Sequence, residues 1–259
     1  VLITVFAAAI AGVAIAGLPT DTDQVVIRNV PATTTSEAPA TTAPDTTETE
    51  PTSTDAPEST DAPPATDVTT TEEPRQVRIA VLGDSWSLAP TPAWPAVATD
   101  LLADEGVDAT FTVDALAITG YVVDGAAGTS FVDRAANVDP DADVVVVFGG
   151  FDDRDGDAAA VSLAAASTFG TIRDVAPGAV LVVVGVPWPN DEVPPNVVAL
   201  NDALRVQAQS VQATFVDPAA DGWFTSGDAD LIGPDLLHPS VAGQAVIAER
   251  LVEATAATR

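Results

Sequence analysis

The run "ADVVVVFGG", residues 142–150, decides the class of fold. Its valines and phenylalanine leave no polar face. A strand with one face in water alternates apolar and polar residues. One that does not alternate is covered on both sides, as the inner strands of a parallel sheet are. Two more runs share this character, "QVRIAVLG" (76–83) and "AVLVVVGV" (179–186). "ATFTVDALA" (109–117) and "ATFVDP" (213–218) read as further strands. Helix-forming stretches at 92–105, 130–137, 157–175, 195–211 and 239–257 separate or follow them. The last opens on Pro239, and proline at the first helical position is a start signal. This alternation predicts one α/β domain over 77–257, with helices on both faces of a parallel sheet.

The residues before that domain differ in kind. Residues 1–18, "VLITVFAAAIAGVAIAGL", carry no charge and read as a signal peptide or a membrane anchor. Residues 19–76 are dominated by Thr, Pro, Ala, Asp and Glu. They hold almost nothing to bury, and the expectation is a disordered linker reaching on the order of 40 Å. An apolar leader followed by such a stalk predicts a secreted or outer-face-tethered protein, with N-terminal membrane contact. A monomer is expected.

Composition excludes several functions. Asp and Glu number 38 against 9 basic residues, for a formal net charge of −29. Phosphate backbones are repelled by such a chain, so no nucleic-acid partner is expected. There is no cysteine and one histidine, which leaves no thiolate site and little scope for a histidine-based metal site; no metal or cofactor is expected. A nucleotide-binding or receiver domain would need a glycine-rich phosphate loop or a lysine, and the chain has no lysine.

In parallel α/β sheets, ligands gather beyond the carboxyl ends of the strands. The segments placed there are Gly83-Asp84-Ser85, Thr119-Gly120-Tyr121, Gly149 to Arg154, Val186-Pro187-Trp188 and Asp235-Leu236-Leu237-His238. A serine hydroxyl needs a base to become nucleophilic, and His238 is the one imidazole available. Asp235 lies three residues before it, a spacing that can bring its carboxylate under the ring. The Ser85 N–H, with a second N–H from Gly120, would face a developing oxyanion; Gly125 and Gly128 compete with Gly120 for that role. Each piece alone also reads as an ordinary turn, cap or loop. Trp86, Trp188 and Trp223 are candidates to line a substrate cleft, or are plain packing.

These segments resemble the blocks of the SGNH, or GDSL-type, serine hydrolases, in particular the exported type of high-GC Gram-positive bacteria. "VLGDSWS" resembles the nucleophile block, "ITGYVVDG" the second, "VVVFGGFDDR" the third and "GPDLLHPSVAGQAVIAERL" the last. The resemblance implies a flavodoxin-like three-layer domain with five parallel strands. It implies ester hydrolysis through an acyl-enzyme, without a metal, with Ser85 as nucleophile, His238 as base, Asp235 behind it and Gly120 at the oxyanion. Acylated small molecules or O-acetylated glycans are the expected substrates. The third block departs from the pattern: Asp152 stands where the family has an asparagine whose amide donates to the oxyanion. An ionised carboxylate donates nothing and repels a tetrahedral oxyanion. Asp152 is therefore expected to turn towards Arg154, leaving the work to backbone N–H groups or water. The alternative reading is a catalytically degenerate module that binds glycan or cell wall without turnover.

Overall fold

The computed structural model describes residues 74–224 and 230–256. The expected anchor at 1–18, and the linker up to residue 73, lie outside the described residues. Within them, five strands form one sheet: β1 (Arg75–Gly83), β2 (Val107–Ala115), β3 (Val144–Phe148), β4 (Val180–Val184) and β5 (Thr214–Val216). All neighbours run parallel, in the order β2-β1-β3-β4-β5. The helices are α1 (Trp94–Asp104), α2 (Phe131–Arg134), α3 (Ala158–Val175), α4 (Pro195–Ser210) and α5 (Val241–Ala256).

The layers follow from strand order and chirality. From β1 the chain moves one way to β2; from β3 it moves the other way to β4 and β5. Right-handed crossovers then place α1 on one face and α3 and α4 on the other. α5 returns to pack beside α1, while α3 packs on α4 and α2. The valine run lies at the centre. No residue of β3 is more than 3% exposed, so the non-alternating pattern reflects cover on both faces. β2, at the edge, alternates over its first half and is only half-buried after that.

Strand and helix ends differ from the sequence reading for local reasons. β1 begins at Arg75, inside the stretch assigned to the linker, because Arg75 pairs with Val107 across the sheet. β2 starts at Val107 and not at 109, directly after Gly106, whose φ of 75° closes the turn from α1. β3 ends at Phe148, since Gly149 and Gly150 leave the ladder to approach Asp84 and Tyr121. Pro239 is not in the last helix. It forms an antiparallel bridge with Ile232, and Ser240 caps α5 by accepting from the Gly243 N–H at 3.1 Å. α1, α3 and α4 match the expected spans to within two residues, while the stretch expected as one helix at 130–137 is a short α2 followed by a 3-10 turn, Ala135–Asn137.

One buried cation ties two strand ends together. Arg134 donates to the Gly83 carbonyl at 3.0 Å and to the Asp114 carboxylate at 2.8 Å, and its guanidinium lies over Phe131. The switch point, where β1 and β3 lie side by side and their connections diverge, is thereby fixed next to the turn that carries Ser85.

Candidate active site

Ser85 opens a single 3-10 turn, Ser85–Ser87, at the end of β1. Asp84 makes that turn. One of its carboxylate oxygens accepts from the Trp86 N–H at 2.9 Å; the other accepts from the N–H groups of Gly150 at 3.1 Å and Phe151 at 3.4 Å. A buried carboxylate thus joins the Ser85 turn to the loop after β3. Burial pushes its pKa from 3.8 to about 7, with a smaller push from the nearby Asp152 charge, against the pull of the N–H donors. The loop after β3 accommodates this only with glycines. A side chain at Gly149 would strike the Asp84 carboxylate, and Gly150 sits at φ 94°.

Gln244 of α5 holds the turn from the other side. It is fully buried; its amide donates to the carbonyls of Trp86 at 3.1 Å and Ala89 at 2.8 Å and accepts from the Trp94 N–H at 2.7 Å. All three bonds join residues 150 to 158 positions apart, because α5 follows directly on the segment that carries His238.

That segment brings the imidazole back to Ser85. Gly233 donates to the His238 carbonyl, and Ser240 to the Leu231 carbonyl, closing a short loop before α5. At its tip Asp235 accepts from the N–H groups of Leu237 and His238, each at 3.1 Å. Its second oxygen lies 2.7 Å from His238 Nδ1. The ring bond first, then the N–H donors, hold the Asp235 pKa down to about 2, so the carboxylate is charged at neutral pH. A charged acceptor at Nδ1 fixes the neutral ring with its proton there. Nε2 is then an acceptor, and it lies 3.0 Å from Ser85 Oγ. Ser85, His238 and Asp235 thus form one hydrogen-bonded chain, although Ser85 and His238 are 153 residues apart. The group is open to solvent: the His238 side chain is 32% exposed.

The remaining expected residues are placed differently. Gly120 does not offer a free N–H, because that group donates to the Val123 carbonyl at 3.0 Å. What requires glycine there is the adjacent Asp153 carboxylate, which occupies the space of a Cβ. Asp153 accepts from the N–H groups of Tyr121, Val122 and Val123 at 2.6, 3.1 and 3.0 Å, and so folds the whole second loop. The Ser85 N–H has no acceptor among the described residues. Asp152 lies 3.8 Å from the Arg154 guanidinium, an ion pair without a hydrogen bond. Burial raises its pKa, and the charges of Arg154 and His238 oppose that rise; Asp152 therefore lies within electrostatic reach of the ring. Of the three tryptophans, Trp86 and Trp223 are core residues, packed away from solvent. Trp188 is half-buried and stacks on Phe151 at 5.8 Å. Among the described residues, no group of three or more acidic or histidine side chains is placed to hold a metal ion.

Asp84, Asp153 and Gln244 are the positioning residues that sequence reading did not single out. Asp84 and Asp153 sit beside motif residues, but each spends its carboxylate on backbone N–H groups of a distant loop. No local pattern announces that.

With this geometry in hand, comparison with known proteins decides the ancestry. Residues 81–246 match the GDSL-like Lipase/Acylhydrolase family. The chain belongs to that family. A GDSL lipase of Mycobacterium tuberculosis is 36% identical over 183 residues, which is 67% of this chain and 79% of that protein. Solved structures share the GDSL hydrolase fold at lower identity. TesA superposes with a TM-score of 0.56 at 23% identity, over 68% of this chain and 97% of TesA. The psychrotrophic esterase EstA from Pseudoalteromonas sp. gives 0.55 at 15%, over 69% and 96%. A carbohydrate esterase family 3 protein from Talaromyces cellulolyticus gives 0.55 at 16%, over 70% and 97%. The GDSL family supplies the α/β sheet and its five-strand order; the residues above supply this chain's own variant of the site.

Proposed function

We propose that this GDSL-family protein is a serine esterase that cleaves carboxylic esters through an acyl-enzyme. The observation that carries the proposal is the hydrogen-bonded chain from Ser85 Oγ to His238 to Asp235, at 3.0 and 2.7 Å. Ser85 Oγ attacks the ester carbonyl carbon as His238 Nε2 takes its proton. The Asp235 carboxylate stabilises the imidazolium that forms. The oxyanion lies against the Ser85 N–H. Collapse of the tetrahedral intermediate breaks the bond to the leaving alcohol, which takes the proton from His238. A water then gives its proton to His238 and attacks the acyl-Ser85 carbonyl; the second collapse frees the acid and restores Ser85.

Small acyl esters and O-acetylated glycans are the substrates proposed. The open position of His238 admits a bulky alcohol, and the family's fold also serves a carbohydrate esterase. The apolar residues 1–18 and the Thr/Pro-rich stretch after them support action outside the cell.

The test is hydrolysis of p-nitrophenyl acetate by the purified chain. Turnover that disappears in both Ser85→Ala and His238→Ala supports the reading; turnover surviving either change contradicts it. Asp152 supports a second reading, a module that binds an acylated glycan without turning it over. A folded wild-type chain that binds acetylated glycan but is inert towards every ester would favour that one.

A further inference from the structure

A cavity of about 310 Å³ opens on the same rim, between the loops after β4 and β5. Its walls include Trp188, Asn190, Val193, Pro218 and Phe224. Nothing in the triad uses it, yet it shares a wall with the triad's supports. Trp188 stacks on Phe151, the residue before Asp152, with ring centroids 5.8 Å apart and 24° between planes. Phe224 meets Trp86, the residue after Ser85, edge to face at 5.3 Å.

The cavity is built from fixed parts. Asn201 of α4 is buried; its amide oxygen accepts from the Val186 N–H at 2.7 Å, and its amide nitrogen donates to the Val186 carbonyl at 3.1 Å and to Asp217 at 2.9 Å. Asp217 is paired with Arg205 at 2.6 Å and accepts from the Ala220 N–H at 3.1 Å. The loop that carries Trp188 and the loop that carries Pro218 and Ala220 are thus pinned to one clamp. Asn190 is pinned as well. Its amide oxygen accepts from the Trp188 indole N–H at 3.2 Å and from the Glu192 N–H at 2.9 Å. That fixes the orientation of the amide, and the two donors on its nitrogen have no partner among the described residues.

We infer that this cavity is the subsite for a neutral pyranose ring, carried by the alcohol half of the ester; the inference rests on the esterase reading above. The half-buried Trp188 indole, with the partly buried Val193 beside it, offers the apolar surface that the C–H face of a pyranose covers. The oriented Asn190 amide offers donors to ring hydroxyls, as small polar sets do in largely apolar ligand sites. The volume is at the lower end for a ligand pocket, which suits one ring and not a long hydrocarbon chain. The chain's net charge of −29 disfavours a uronate or a phosphorylated sugar.

The experiment compares three substrates: a peracetylated methyl glucoside, p-nitrophenyl acetate and p-nitrophenyl octanoate. In Trp188→Ala and, separately, in Asn190→Ala, kcat/KM for the acetylated glucoside is expected to fall about tenfold or more relative to p-nitrophenyl acetate, mostly through KM. Asn190 is exposed, so its variant keeps the test valid if loss of Trp188 disturbs packing. An unchanged ratio in Asn190→Ala, or a loss confined to the octanoate, overturns the sugar subsite. Absence of hydrolysis of all three by the wild-type chain would instead overturn the esterase reading. In that case binding of methyl glucoside to Ser85→Ala, followed by tryptophan fluorescence, judges the subsite alone. Saturable quenching that is lost in the Ser85→Ala, Asn190→Ala double variant upholds it, and no quenching rejects it.

Discussion

Replacing Asp152 by asparagine is expected to speed the enzyme up. The carboxylate lies 3.8 Å from Arg154 and within electrostatic reach of His238, and the family resemblance implies an oxyanion-donating amide at this position. Two effects oppose each other in the variant. An oxyanion donor gained at this kind of site is worth about 10²–10³ in kcat. The charge lost had attracted the imidazolium that forms in the same transition state. For unit charges in contact near a protein surface, at an effective dielectric of about 20, that attraction is at most about 4 kcal/mol before screening. Asp152 is partly exposed and already shared with Arg154, so about 1–2 kcal/mol is the fairer figure. The donor term wins, and kcat for p-nitrophenyl acetate should rise about tenfold or more, with KM little changed. Asp152→Ala separates the terms, because it removes the charge without adding a donor; its kcat should not rise. Initial rates measured above the range in which carboxylates titrate decide the matter. An Asp152→Asn enzyme slower than wild type would refute the reasoning and give the carboxylate a positive role in the step.

Other expectations follow from the supporting residues. Asp235→Asn keeps an oxygen for the N–H groups of Leu237 and His238 but turns a donor towards Nδ1, which forces the proton to Nε2; kcat should fall about 10²–10⁴, with no loss in thermal melting temperature beyond a few degrees. Gln244→Leu leaves one N–H and two carbonyls unpaired in the core. It should cost about 1–3 kcal/mol in urea unfolding and slow acylation at substrate saturation, with Ser85 no longer held to the α5 side. Because folded Asp84 keeps its proton to about pH 7 while the unfolded carboxyl loses it near 3.8, the folded state binds more protons across that window. Stability should therefore fall as pH rises from 4 to 7 and level off above, by at most about 4 kcal/mol from this group; a urea midpoint that rises over the same interval would contradict the burial argument.

The sheet was legible because its inner strands carry their burial in their composition. "VVVVF" cannot be placed with one face in water, and β3 is covered on both. The grouping of Ser85, Asp235 and His238 was legible because a serine, a carboxylate and a single imidazole fell on the same predicted rim. What was hidden was decided by contacts between distant segments. Glycine at 120 looked like an N–H donor in sequence; in three dimensions it is the space beside Asp153 that demands glycine, and its N–H is spent on Val123. Pro239 looked like a helix start, but pairing with Ile232 draws it into a bridge and passes the cap to Ser240. Trp86 read equally as a cleft or a packing residue, and its burial depends on Phe151 and Phe224, which no spacing rule connects to it.

The central claim is that His238 activates Ser85, and the rate of covalent labelling by a fluorophosphonate reads it most directly. Intact mass and peptide mapping should find one adduct, on Ser85, formed quickly by the native chain and at least about 10²-fold more slowly in His238→Ala. Equal rates in the two proteins, or an adduct elsewhere, would contradict it.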